Sequence, residues 1–121
     1  HGPDPTMVVV SEENRGSVRF VNCAYWGPHN QIAKVGGGTV GFSDCTFMQW
    51  DREKEGRHAI QATGGSLIVR GCEFQTDAPQ VSLTADVKRA IITGNLFNGA
   101  ARISDAGAGN VQIGLNSATE D

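Results

Sequence analysis

Apolar and polar residues alternate over short stretches that recur along the chain. Val18 and Phe20, Val40 and Phe42, Leu67 and Val69, Ala90 and Ile92, and Val111 and Ile113 each take every second position, the period of a β-strand with one buried face. A single residue then breaks the alternation: Asn22, Asp44, Gly71 and Gly94, types that tolerate a left-handed backbone. Next comes a marker column of Cys23, Cys45, Cys72, Asn95 and, more weakly, Asn116. Two residues further on stand Tyr25, Phe47, Phe74 and Phe97, with Ala118 in the last place. The marker advances by 22, 27, 23 and 21 residues, a period that belongs to a solenoid whose turns stack on one another. Another strand in each turn carries Ile32, Ile60, Val81 with Leu83, and Ile103, and runs into a glycine-rich bend. Its outward residues are predicted as Gln31 and Ala33, Ala59 and Gln61, Ser82 and Thr84, and Arg102 and Ser104. Helix is expected nowhere except as a single turn within 50–57. The pattern predicts an all-β chain of about 4–5 turns of 21–27 residues. Residues 1–15 form a lead-in and partial first turn, and 16–121 form one domain.

The runs Val21–Tyr25, Ser43–Phe47, Arg70–Phe74 and Thr93–Phe97 read Val-Asn-Cys-Ala-Tyr, Ser-Asp-Cys-Thr-Phe, Arg-Gly-Cys-Glu-Phe and Thr-Gly-Asn-Leu-Phe. Together with one loop of variable length per turn, they resemble the right-handed parallel β-helix of the pectate-lyase-like superfamily, over roughly residues 16–118. Within it the texture is most similar to the later rungs of polysaccharide lyases and polygalacturonase-like hydrolases. The resemblance implies a ligand groove along the sheet built from the Ile32-type strands, flanked by the variable loops. It also implies a polysaccharide or oligosaccharide partner, and a secreted, periplasmic or cell-surface location.

Composition narrows the picture without adding an activity. Ten Lys and Arg against 13 Asp and Glu give a net charge of −3, with no basic stripe of the kind a nucleic-acid binder shows. No apolar run approaches the ~18 residues that cross a bilayer, so neither nucleic acid nor membrane is expected as a partner. The 16 glycines fall between strands as punctuation. The three cysteines share one column, without metal-ligand spacing. Stacked about 4.8 Å apart with parallel Cβ vectors, they read as reduced, buried, small hydrophobes. Asn95 would continue that column only if its amide finds backbone partners, since a buried amide left unpaired costs about 1–3 kcal/mol.

The predicted groove strip carries no carboxylate, whereas a glycosidase of the common kind needs two. A calcium-assisted lyase needs carboxylates for the cation and a base for the proton. The candidates that remain lie on or near its edges. His58, Asp51 and Glu53 form a possible catalytic group, and Lys34, Arg57, Gln61 and Arg102 are possible substrate contacts. Against this, a charged loop such as Asp51–Arg57 is ordinarily a solvated surface whose ion pairs contribute ~0–1 kcal/mol. Trp26 and Trp50 are either a platform for sugar rings or loop anchors packed on the coil. No cofactor is expected and no metal ligands are assigned. An amino-terminal His1 with a second histidine, His29 or His58, would suit Cu(II), but nothing in the repeat brings either beside it.

Three functions fit these residues. The first is a set of β-helix rungs from a carbohydrate-active protein, contributing structure and polysaccharide binding without a complete active site. It would be joined to the rest of a larger β-helix or to a copy of itself end to end. The second is a stand-alone lyase or glycoside hydrolase acting on an acidic polysaccharide. The third is a non-catalytic binding or assembly module.

Overall fold

The structure, a computed structural model, describes residues 6–26 and 30–120; His1 and His29 lie outside them. Fifteen strands follow one another with no helix among the described residues. Those of the first sheet are β1 (Val8–Val10), β4 (Ala33–Val35), β7 (Ile60–Ala62), β10 (Val81–Leu83) and β13 (Ile103–Asp105). The second sheet holds β2 (Ser17–Val21), β5 (Thr39–Ser43), β8 (Gly65–Arg70), β11 (Val87–Thr93) and β14 (Asn110–Gly114). The third holds β3 (Ala24–Tyr25), β6 (Thr46–Phe47), β9 (Glu73–Phe74), β12 (Leu96–Ala100) and β15 (Ser117–Glu120). Every pairing is parallel and joins a strand to its counterpart one turn away. The chain is therefore a parallel β-solenoid of five turns.

Register explains why the repeat is visible. Val18, Val40, Leu67, Ala90 and Val111 pair in one row, and Phe20, Phe42, Val69, Ile92 and Ile113 in the next. Because like positions lie directly over one another, each inward row becomes a continuous apolar stack. The rings of Tyr25, Phe47, Phe74 and Phe97 follow at centroid spacings of 5.1, 4.7 and 5.5 Å, within the range where aromatic pairs attract beyond their buried area. At the bend before them Asn22, Asp44, Gly71, Gly94 and Leu115 all have φ between 54° and 69°. One left-handed residue thus turns the chain from the second sheet into the third in all five turns.

The marker column has a shared chemical task. Cys45 Sγ donates to the Phe20 carbonyl at 3.3 Å and Cys72 Sγ to that of Phe42 at 3.4 Å. Asn95 Nδ2 donates to the Val69 carbonyl at 3.0 Å and Asn116 Nδ2 to that of Ile92 at 3.2 Å. These four carbonyls occupy one register row. Thiol and amide are interchangeable here because both are short inward donors that reach the same carbonyl of the preceding turn. The amide does more: Asn95 Oδ1 also accepts the Cys72 backbone N–H at 2.9 Å. All three thiols are free; Cys45 and Cys72 are buried and Cys23 is partly covered. Burial pushes the Cys72 thiol up to about 12 and raises that of Cys45, as expected of a thiol without a cation beside it.

One part of the predicted register is corrected. In the first sheet Ala33, rather than Ile32, stands in line with Ile60 and Val81. Ala33 and Ala59 are fully buried rather than outward. The strand starts one residue later because Ile32, also buried, packs inward from the connection preceding it. Two adjacent inward residues conceal the period of 2 at this point.

Candidate functional site

With that correction, the outer face of the first sheet is a single row: Val9, Lys34, Gln61, Ser82 and Ser104. Lys34 therefore stands on the strip itself, next to Gln61, rather than at its edge. Where the third sheet returns to the first, the longest connection, 48–59, lies beside this row. A hollow of about 220 Å³ opens there, lined by Gln31, Gly56, Arg57, His58, Gln61 and Ser82. Gln31 Nε2 donates to Gln61 Oε1 at 3.3 Å, and His58 Nε2 lies 3.0 Å from Ser104 Oγ. Parallel stacking places residues 46 apart in sequence within one hydrogen bond. Burial lowers the His58 pKa, an effect partly opposed by the nearby negative charge of Asp51. The ring is thus held neutral at neutral pH, with one donor and one acceptor nitrogen.

The acids of the loop are differently employed. Asp51 is buried, and its two carboxylate oxygens accept the backbone N–H groups of Glu55 at 2.9 Å and Gly56 at 3.1 Å. The carboxylate closes its own loop, whose backbone turns through the left-handed region at Gln49, Asp51, Lys54 and Gly56. Asn30, buried beneath the loop, donates to Glu55 Oε1 at 3.3 Å and accepts from the Glu53 N–H at 3.5 Å. Arg57 pairs with Glu55 at 3.8 Å in an exposed contact. Glu53 itself is exposed. Asp51 and Glu53 thus share a loop with His58 without forming a hydrogen-bonded group with it.

Trp50 is 1% exposed and Trp26 63%, so the two rings do not make a common platform. Trp50 packs edge-on against Phe74 at 5.9 Å and donates from Nε1 to the Pro79 carbonyl at 2.6 Å. It anchors the loop and offers no ring face outward. Arg102 lies in a neighbouring hollow of about 590 Å³, whose lining includes Arg52, Lys54 and Thr76; its guanidinium pairs with Asp77 at 2.9 Å. The structure thus brings together His58, Gln61 and Arg57, with Lys34 adjoining. Arg102 and Trp26 are not part of the lining of that hollow, and Trp50 is enclosed. Asn30 is the residue that sequence reasoning passed over. It belongs to a connection that does not repeat, so no column singles it out.

Comparison with protein-family models, with curated proteins and with solved structures finds no match. The architecture therefore rests on the chain's own register.

Proposed function

We propose that the chain is a set of β-helix rungs from a carbohydrate-active protein, and that the first-sheet face binds a polysaccharide or oligosaccharide without cleaving it. The observation that carries this reading is two hydrogen-bonded pairs, Gln31–Gln61 at 3.3 Å and His58–Ser104 at 3.0 Å, with Ser82 between Gln61 and Ser104 in the same row. Amides, hydroxyls and a neutral imidazole can each donate and accept, which suits the alternating donor and acceptor character of sugar hydroxyls. Lys34 and Arg57 beside them would favour an acidic sugar. The acid-and-base pair of a hydrolase is not assembled around this cluster, and Asp51 is committed to its own loop. At the two ends of the coil, Phe20, Cys23 and Val111 are only partly covered. This supports adjoining rungs, or a copy stacked end to end, as further partners. The setting would be extracellular, periplasmic or at a cell surface.

Titration calorimetry of the purified chain with oligogalacturonate and with a neutral oligosaccharide tests the proposal. Saturable binding that weakens in Gln61→Ala and His58→Ala, with no reducing ends or unsaturated products released, is the expected outcome. Release of products by the wild-type chain and not by His58→Ala would establish the lyase or hydrolase reading instead. The absence of any glycan binding by the folded chain would remove both.

A further inference from the structure

The outer face of the second sheet has a different chemistry from the first. We propose that it is a docking surface for an acidic polypeptide segment, one whose carboxylates flank an aliphatic side chain. The inference stands on this face alone and does not depend on the glycan reading.

Arg19, Arg70 and Arg89 are exposed and point outward from turns one, three and four. None has a carboxylate within ion-pair distance among the described residues, where the two ion pairs are Arg57–Glu55 and Arg102–Asp77. No outward position of β2, β5, β8, β11 or β14 is an Asp or Glu. For a chain of net charge −3, a whole sheet face that is cationic and free of acids is a segregated charge pattern. Unneutralised guanidinium groups favour an anionic partner by long-range attraction as well as by contact.

The groups are also held in place. Arg70 Nε donates to Ser43 Oγ at 3.3 Å and Arg89 Nε to Ser66 Oγ at 2.9 Å, each across to the preceding turn. Arg19 lies over Gly41, where a Cβ would come within 2.7 Å of its Nη1. Each guanidinium therefore keeps N–H groups free for a carboxylate while losing part of the side-chain freedom that binding would otherwise freeze.

Between the arginines, Ile68 and Ile91 form an aliphatic floor, with Ile91 47% exposed. A trough of about 420 Å³ runs over them from Ser17 to Asn110, crossing all five strands. At about 4.8 Å per strand its length is roughly 19 Å, the reach of about six extended residues. An apolar centre with arginine around it is the composition of a protein-binding patch. The outward rows carry no aromatic side chain, the platform that single-stranded nucleic acid would require and on which sugar rings stack. The occupant is therefore a peptide with acidic and aliphatic side chains rather than a nucleic acid or a glycan.

The test measures fluorescence anisotropy of a labelled synthetic peptide of eight alternating Glu and Leu residues added to the whole chain. The corresponding Lys–Leu peptide, polygalacturonate and a single-stranded oligonucleotide serve as comparisons. The expected result is binding of the Glu–Leu peptide and not of the Lys–Leu peptide or the oligonucleotide, weakening with salt, and weaker by about tenfold for each of Arg19→Gln and Arg89→Gln, variants that should leave polygalacturonate binding unchanged. Ile91→Ser should also weaken it, whereas Gln61→Ala, on the other face, should not. All four residues are exposed or partly covered, and Arg→Lys variants guard against a folding defect by keeping the charge while removing the fork. Failure of the peptide to bind, indifference to the arginine variants, or binding of polygalacturonate or the oligonucleotide that is lost in those variants would each overturn the proposal. Polygalacturonate binding that depends on Gln61 and not on Arg19 or Arg89 belongs to the glycan reading, so the two can fail separately.

Discussion

Two corners of the coil solve the same geometric problem in opposite ways. Between the second and third sheets, each turn changes direction with one residue at φ between 54° and 69°. Behind it stand, in turns two to five, a marker side chain bonded to the turn before and, in turns one to four, an aromatic ring packed on its neighbours. Between the third and first sheets the described connections differ in length and residue type, and the longest is held by its own side chains and by bonds to the next turn. The Asp51 carboxylate caps its own loop, Trp50 anchors it, and Gln49 reaches across to Thr76 Oγ1 at 2.8 Å. The first corner is part of the shared core. The second is where individual turns acquire chemistry, as loops on rigid scaffolds generally do.

That contrast is first sharpened by substitutions in the stack. Phe74→Ala should cost about 3–5 kcal/mol, read from denaturant midpoints, because Phe47, Phe97 and Trp50 all lose a partner. Asn95→Leu should cost about 2–3 kcal/mol, since the Cys72 N–H and the Val69 carbonyl are left unpaired. Asn95→Cys, which restores the donor, should cost less than half as much. Equal losses for the two Asn95 variants would show that the column is merely filled space.

At the variable corner Asp51→Ala should cost about 2 kcal/mol or less and open residues 50–57 to proteolysis before global unfolding. A loss as large as that of Phe74→Ala would erase the distinction between the corners. At the short bend, Gly94→Ala should cost about 1 kcal/mol from the left-handed backbone alone, since the nearest atom to its added Cβ is 3.8 Å away. Gly71→Ala should cost more, because its Cβ would meet Asp44 Oδ1 at 2.5 Å.

The smallest effect concerns His58. Its pKa is lowered in the fold, so the unfolded chain takes up a proton first as the medium becomes acidic. The contribution is present above the unfolded value of about 6.5 and is lost as pH falls through the lower folded value. The thermal midpoint should therefore decline more steeply below about pH 6.5 in the wild type than in His58→Gln.

The fold was legible because stacking forces the same side chain into the same place five times. The paired rows from Val18 to Val111 and from Phe20 to Ile113, the left-handed residues and the marker column all announce themselves by repetition. Legibility ended where repetition did. Ile32 and Ala33, both inward, broke the strand period and displaced Lys34 by one place from its true position on the strip. Nothing adjacent in sequence signals that Asp51 is used by its own loop or that Trp50 turns inward, because both depend on how an unrepeated connection closes. His58 and Ser104 meet only through the lateral stacking of turns. The arginines of the second sheet were present at outward positions, yet their meaning required knowing that no acid shares the face.

Timed alkylation of the native chain, read residue by residue by mass spectrometry, bears most directly on the stacked coil. Stacking predicts that partly covered Cys23 is modified first, while Cys45 and Cys72, enclosed and held as thiols, react only at the rate of unfolding. Modification of all three at one rate under native conditions would contradict it.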